Sequence, residues 1–214
     1  MMTNLFSSFD PCTGLLSMNW LSTILILIIL PMNMWLIPNN NMIILNNLMM
    51  YVNKELKSNL ISKPASILMI SIFMFILINN TTGLIPYIFT SSSQLVFSLT
   101  LSLPMWTSFI IFKMINKTNL LFSHMVPYGT PTILMPFMVI IETISNLIRP
   151  GSLAVRLSAN MIAGHMLMSL LGNMNKMMMP IMMTIFIILM MFELAVAMIQ
   201  SYVFMTLTSL YCSE

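Results

Sequence analysis

Seven residues in the second half of the chain can carry or steer charge: Glu142, Arg149, Arg156, Asn160, His165, Glu193 and Gln200. All stand within long apolar runs. A charge at the centre of a lipid-spanning helix costs about 2.5–3.5 kcal/mol on insertion scales, so such groups mark ion paths or proton relays. The plainer alternatives are ions paired inside a helix bundle, or cations that snorkel to an interface.

Spacing narrows the chemistry. At about 100° per residue, Glu142 returns to within about 40° of the helix face that carries Arg156. Asn160 stands one turn further along that face, and His165 points to the opposite side. At about 1.5 Å per residue, Glu142 lies about 21 Å to one side of Arg156 and His165 about 14 Å to the other. A proton wire running straight between them meets a fixed positive charge. Glu193 and Gln200 are seven apart and share a face of the next run. If the two runs form a hairpin, residues at equal depth share a midpoint. Arg156 with Gln200 gives 178 and His165 with Glu193 gives 179, both inside the turn-like stretch GNMNKMMMP. Glu193 is therefore expected level with His165, and Gln200 level with Arg156. An imidazole and a carboxylate so placed tune each other as a relay.

Other chemistries have no residues to carry them. There is no GxSxG, Walker A, HExxH or GxGxxG motif, so no enzyme, metal or cofactor is expected of this chain alone. Cys12 and Cys212 lie near opposite ends and read as unrelated thiols. His124, in the polar stretch before Pro127, reads as a solvated histidine. The 28 methionines are unbranched apolar filler without helical spacing.

The elements that must position these groups follow from composition. Of 214 residues only eight are Lys or Arg and five Asp or Glu, while 58% are hydrophobic. A soluble fold could not cover itself, a disordered chain is excluded, and no basic patch exists that could track nucleic acid. The fold class expected is all-α integral membrane, with about five crossing helices and one interfacial amphipathic helix in a single membrane domain. The first span is 15–37, with Trp20 and Trp35 as interfacial anchors. The interfacial helix is 42–57. A span pair follows at 64–88 and 93–115, with Asn79, Asn80, Gly83 and Pro86 making a turn-rich stretch between them. Last come 132–171 and 178–211. The former, at about 60 Å of helix, either breaks at Arg149-Pro150-Gly151 or crosses steeply tilted. Lys54, Lys57, Lys63, Lys113 and Lys117 fall on one side, and the N-terminus, with only Asp10, on the other. The opening MMTNLFSSFDPCTG has no basic residue and does not read as a targeting peptide.

Two blocks, ETISNLIRPGSLAVRLSANMIAGHMLMSLLGN (142–173) and FELAVAMIQSYVFMTLTSLY (192–211), resemble subunit a of the F-type ATP synthase, in its mitochondrial and particularly invertebrate form. The resemblance follows the span order of the whole chain, but its specificity lies in LAVRLSAN and AGH. It implies a non-catalytic stator beside a rotating c-ring, with the peripheral stalk and other membrane-sector subunits as further partners. It favours one long, tilted helix over 132–171. Arg156 matches the arginine that keeps the passing c-ring carboxylate ionised and blocks leakage. Asn160 and Gln200 match its polar neighbours, His165 and Glu193 the inlet half-channel, and Glu142 the outlet. It also implies the mitochondrial inner membrane, with the N-terminus toward the intermembrane space and the C-terminus toward the matrix.

A proton-coupled secondary transporter is the competing reading, with Glu142, His165 and Glu193 as its site. Transporters usually show two related halves, whereas here the polar groups crowd one half. Under a third reading, a structural anchor, all these ions are replaceable.

Overall fold

A computed structural model describes residues 5–12, 17–24, 37–59, 63–85, 88–116, 118–126, 129–172 and 179–213. Among them there are helices and no strands. We number the α-helices α1 Asn40–Asn59, α2 Lys63–Gly83, α3 Leu95–Asn116, α4 Thr118–His124, α5 Met135–Gly172 and α6 Met179–Ser213. Short 3-10 turns lie at Leu5–Phe9, Met18–Ile24 and Ser91–Ser93. Four helices are long and apolar enough to cross a membrane: α2, α3, α5 and α6. The chain is an all-α membrane protein. Most of the first expected span, 15–37, lies outside the described residues; its part 18–24 is a 3-10 turn.

α5 is one 38-residue helix, with Pro150 inside it. Proline removes one N–H from the ladder. The Ser152 hydroxyl donates to the carbonyl of Arg149 beside it. Pro104 lies inside α3, where Thr107 donates to its carbonyl. Serine and threonine bond back to their own helix in this way throughout, as Ser98, Ser158 and Thr208 do, because lipid offers a hydroxyl no other acceptor.

The core forms around α2. Met69, Ile70, Phe73, Met74 and Ile78 pack with Val52 and Leu56 of α1, Met105 of α3 and Met205 of α6. A second cluster joins Ile76 to Leu153 and Leu157 of α5 and Phe204 of α6. Leu84, Met168 and Ala197 form a third, near the far end of α2. Methionine threads between these irregular surfaces because its unbranched side chain adapts. Phe75 and Phe97 stack at 5.7 Å to bind α2 to α3.

Three sequence expectations shift. α2 runs through Asn79 and Asn80 to Gly83, where a turn was expected, so both amides lie on a helix and are buried. His124 ends a short helix, α4, rather than lying in a loop. The segment expected to be interfacial lies in α1, longer at both ends than 42–57 and seated on α2 and α6 through Val52 and Leu56.

Candidate functional site

The charged and amide residues singled out by spacing lie along the α5–α6 pair, and side-chain contacts give its register. Asn160 Nδ2 donates to Gln200 Oε1 at 3.0 Å. Leu153 and Leu157 pack with Phe204. At the chain-terminal end, the Arg149 guanidinium sits 5.1 Å from the ring centre of Tyr211. Gln200 thus meets Asn160, one turn from Arg156, rather than Arg156 itself. The pairs Asn160–Gln200 and Arg149–Tyr211 share the midpoint 180, two residues beyond the 178 that Arg156 with Gln200 would need.

Glu193 meets α5 at Gly164, next to His165. A Cβ built on Gly164 would fall inside the Glu193 carboxylate. Glycine here is a cradle: only a hydrogen leaves room for the acid to reach the helix backbone. Glu193 is buried at 8% exposure, and His165 is half-buried with Nε2 enclosed and without a hydrogen-bond partner.

The wall around this pair was not foreseen. The 3-10 turn Ser91–Ser93 and α3 pack against α5. At the end of α2, Gly83 lies between Thr90 and Met161, and Leu84 packs with Met168 and Ala197. Asn79 and Asn80 of α2, and Thr90, Ser91, Ser92 and Ser93 of the connection to α3, are all buried. Asn79 Nδ2, both polar atoms of the Asn80 amide and Ser92 Oγ have no hydrogen-bond partner. Buried polar atoms are normally paired, with protein or with water. The signal was in the sequence: two adjacent asparagines at the end of a 15-residue apolar run. Turn chemistry explained them equally well, so their burial stayed hidden.

Arg156 is the reverse case. It is exposed on α5 and, among the described residues, makes no hydrogen bond or ion pair. Ser152, Val155, Ala159, Asn160 and Ala163 are exposed around it. α6 exposes Met191, Phe192, Leu194, Met198 and Ile199. A bare guanidinium ringed by small side chains, on a helix that spans lipid, can take a close-approaching anion.

Glu142 stands two turns beyond Arg149 on a stretch of α5, Met135 to Arg149, that has no buried residue. Arg149 is turned to Tyr211, whose carbonyl also accepts a hydrogen bond from Lys113 Nζ at 3.0 Å. It helps tie α5, α3 and α6 together at that end. Among the described residues, no three His, Cys, Asp or Glu side chains converge where they could hold a metal ion.

Known proteins resemble this chain along nearly its whole length. A family model described as ATP synthase A chain matches residues 16–213. ATP synthase subunit a of Anopheles gambiae is 52% identical over 224 residues, covering 100% of this chain and 99% of that protein. The subunit a of Drosophila melanogaster is 52% identical over 222 residues, with the same coverage. That of Locusta migratoria is 51% identical over 224 residues.

Proposed function

The chain belongs to the family of ATP synthase subunit a, and from that premise we propose that it is the proton-translocating stator of the membrane sector, set against a ring of c subunits. The observation that carries the reading is the exposed, unpartnered guanidinium of Arg156 on a membrane-crossing helix. Burying that charge against lipid alone is unfavourable. A carboxylate presented by a neighbouring helix resolves it, and the small residues around Arg156 let such a helix come close.

The two half-channels follow. At the α2–α3 end, water pairs the orphaned atoms of Asn79, Asn80 and Ser92 and hydrates an inlet leading to His165 and Glu193. Glu193, seated on Gly164, hands its proton to a ring carboxylate, which once neutral can travel through lipid. At the outlet, Glu142 takes up the proton of a carboxylate arriving from the other side. That ionised carboxylate is then held by Arg156 until it reaches the inlet. The Asn160–Gln200 bond supports both polar side chains beside the arginine. One charge moving through about 100 mV releases roughly 2.3 kcal/mol, and the fixed cation keeps that energy from being lost as direct leakage between Glu142 and His165.

The chain is a component of the ATP synthase complex. We read it as non-catalytic by itself and in contact with the peripheral stalk and other membrane-sector subunits. The same premise supports the mitochondrial inner membrane, with the α2–α3 connection toward the intermembrane space and the Lys113 end and C-terminus toward the matrix.

Replacing Arg156 with alanine in the assembled complex tests this directly. Coupled ATP synthesis is expected to disappear while ATP hydrolysis by the detached head survives. ATP-driven proton pumping at the normal rate in that variant would overturn the proposal.

A further inference from the structure

The N-terminal residues have no role in the path described above, yet they close over its inlet. Phe9 ends the 3-10 turn Leu5–Phe9, and its ring lies edge-on to the His165 imidazole, with centroids 6.2 Å apart and planes at 88°. The main-chain carbonyl of Phe9 accepts a hydrogen bond from Gln94 Nε2 at 2.7 Å, across 85 residues of sequence. Gln94 itself directly follows the buried Ser91–Ser93 turn. Further along, Asn19 Nδ2 donates to the carbonyl of Asp10 at 3.2 Å, which folds the segment back on itself. Trp20 then packs edge-on against Phe89 at 5.8 Å. The segment is therefore fastened on both sides of His165: to α5 through the Phe9 ring, and to the α2–α3 connection through Gln94 and Trp20.

We propose that residues 5–12 and 17–24 form a cap over the outer end of the inlet, in which Phe9 is a positioning residue that seats the His165 ring and shuts it off from direct contact with the aqueous side. The inference rests on the reading of His165 as an inlet group. Phe9 offers an aromatic edge and no proton acceptor, so it can orient an imidazole but cannot relay for it. With that side closed, the proposed inlet route by way of the buried polar groups Asn79, Asn80 and Ser92 remains. Gln94 is the pin that holds the cap, because its bond is to backbone and does not depend on which side chain stands at position 9.

Acylation of histidine by diethyl pyrocarbonate, read at the His165 peptide by mass spectrometry in the assembled complex, tests the cap. The chain has one other histidine, His124, which serves as the internal reference. Phe9→Ala is expected to label about fivefold faster at His165 than the parent chain, the factor such a ring contact represents. Gln94→Ala, which leaves the ring in place, is expected to act in the same direction, and Phe9→Tyr to restore slow labelling. If Phe9→Ala fails to assemble, Gln94→Ala decides the matter. Equal labelling of His165 in the parent chain and the assembled variants overturns the proposal. The relay reading is judged separately, by proton-driven ATP synthesis in His165→Gln. Loss of that reading would leave the labelling result standing, and an unchanged labelling rate would leave the relay untouched.

Discussion

The two halves of α5 are packed in opposite ways. From Met135 to Arg149 no residue is buried, whereas the stretch beginning at Pro150 buries eight, among them Leu153, Leu157, Met161 and Gly164. The division is equally clear between helices. Of the spanning window of α2, 56% is buried, against 17% in α5 and 11% in α6. Lipid does not drive helices together by the hydrophobic effect, so association depends on close packing and polar contacts. The second half of α5 finds both within this chain, and the first half does not. His165 and Glu193 stand on the packed half, while Glu142 stands on the half without a buried residue, so under the proposed function the inlet is walled by this chain and the outlet is completed by another subunit.

Gly164→Ala strikes this contrast hardest. The new methyl group displaces the Glu193 carboxylate, and a misplacement of about 1 Å at a reacting group lowers a rate on the order of a hundredfold. Proton-driven ATP synthesis should fall accordingly with the complex still assembled, and Glu193→Asp in the same chain should recover part of it. Unchanged synthesis in Gly164→Ala would dissolve the self-built inlet.

Glu142→Gln probes the open half and should act more gently. Glu142 is only partly buried, so water substitutes in part for the carboxylate and synthesis drops roughly tenfold, about 1.4 kcal/mol in barrier. Since nothing near Glu142 is buried, thermal stability of the complex should stay within about 0.5 kcal/mol, as for surface substitutions generally. A large loss of stability would mean that this half of α5 is packed after all.

Converting Asn79 and Asn80 together to leucine separates wetting from packing. Replacing unpaired buried polar groups by apolar ones of similar size is close to neutral for stability. Assembly and melting temperature should hold, while proton-driven synthesis slows severalfold as the inlet dries. Destabilisation with normal synthesis would make the cluster structural.

The smallest effect concerns α1. Tyr202 donates its hydroxyl to Glu55 and ties α1 to α6 at an exposed position. Tyr202→Phe removes one hydrogen bond, about 1 kcal/mol, so amide exchange in α1 should quicken by up to about fivefold. Synthesis should remain normal, since the bond lies outside both half-channels.

Much of this was legible beforehand because charge is rare here. Each ionisable residue in an apolar run stood out, and helical arithmetic alone put Glu142, Arg156 and His165 at three depths. Facing partners were harder to foresee. A shared midpoint placed Gln200 level with Arg156, but its side chain bonds to Asn160, one turn away. Gly164 carried no mark, because a glycine's role lies in what occupies the space beside it. Asn79 and Asn80 were visible but ambiguous, since the same residues make turns and wet cavities.

Composition and spacing by themselves determined a membrane-embedded helical chain with a fixed cation between two acid–base stations. These follow from energies that act residue by residue: the free energy of transferring a side chain into lipid, and the 1.5 Å rise of a helix. Only the tertiary structure decided which groups are enclosed and which are bare. It seated Glu193 on Gly164, set the Phe9 ring against His165, pinned Arg149 to Tyr211 and left Arg156 exposed. Those outcomes depend on how helices cross and what fills the gaps between them, which no single stretch of sequence encodes.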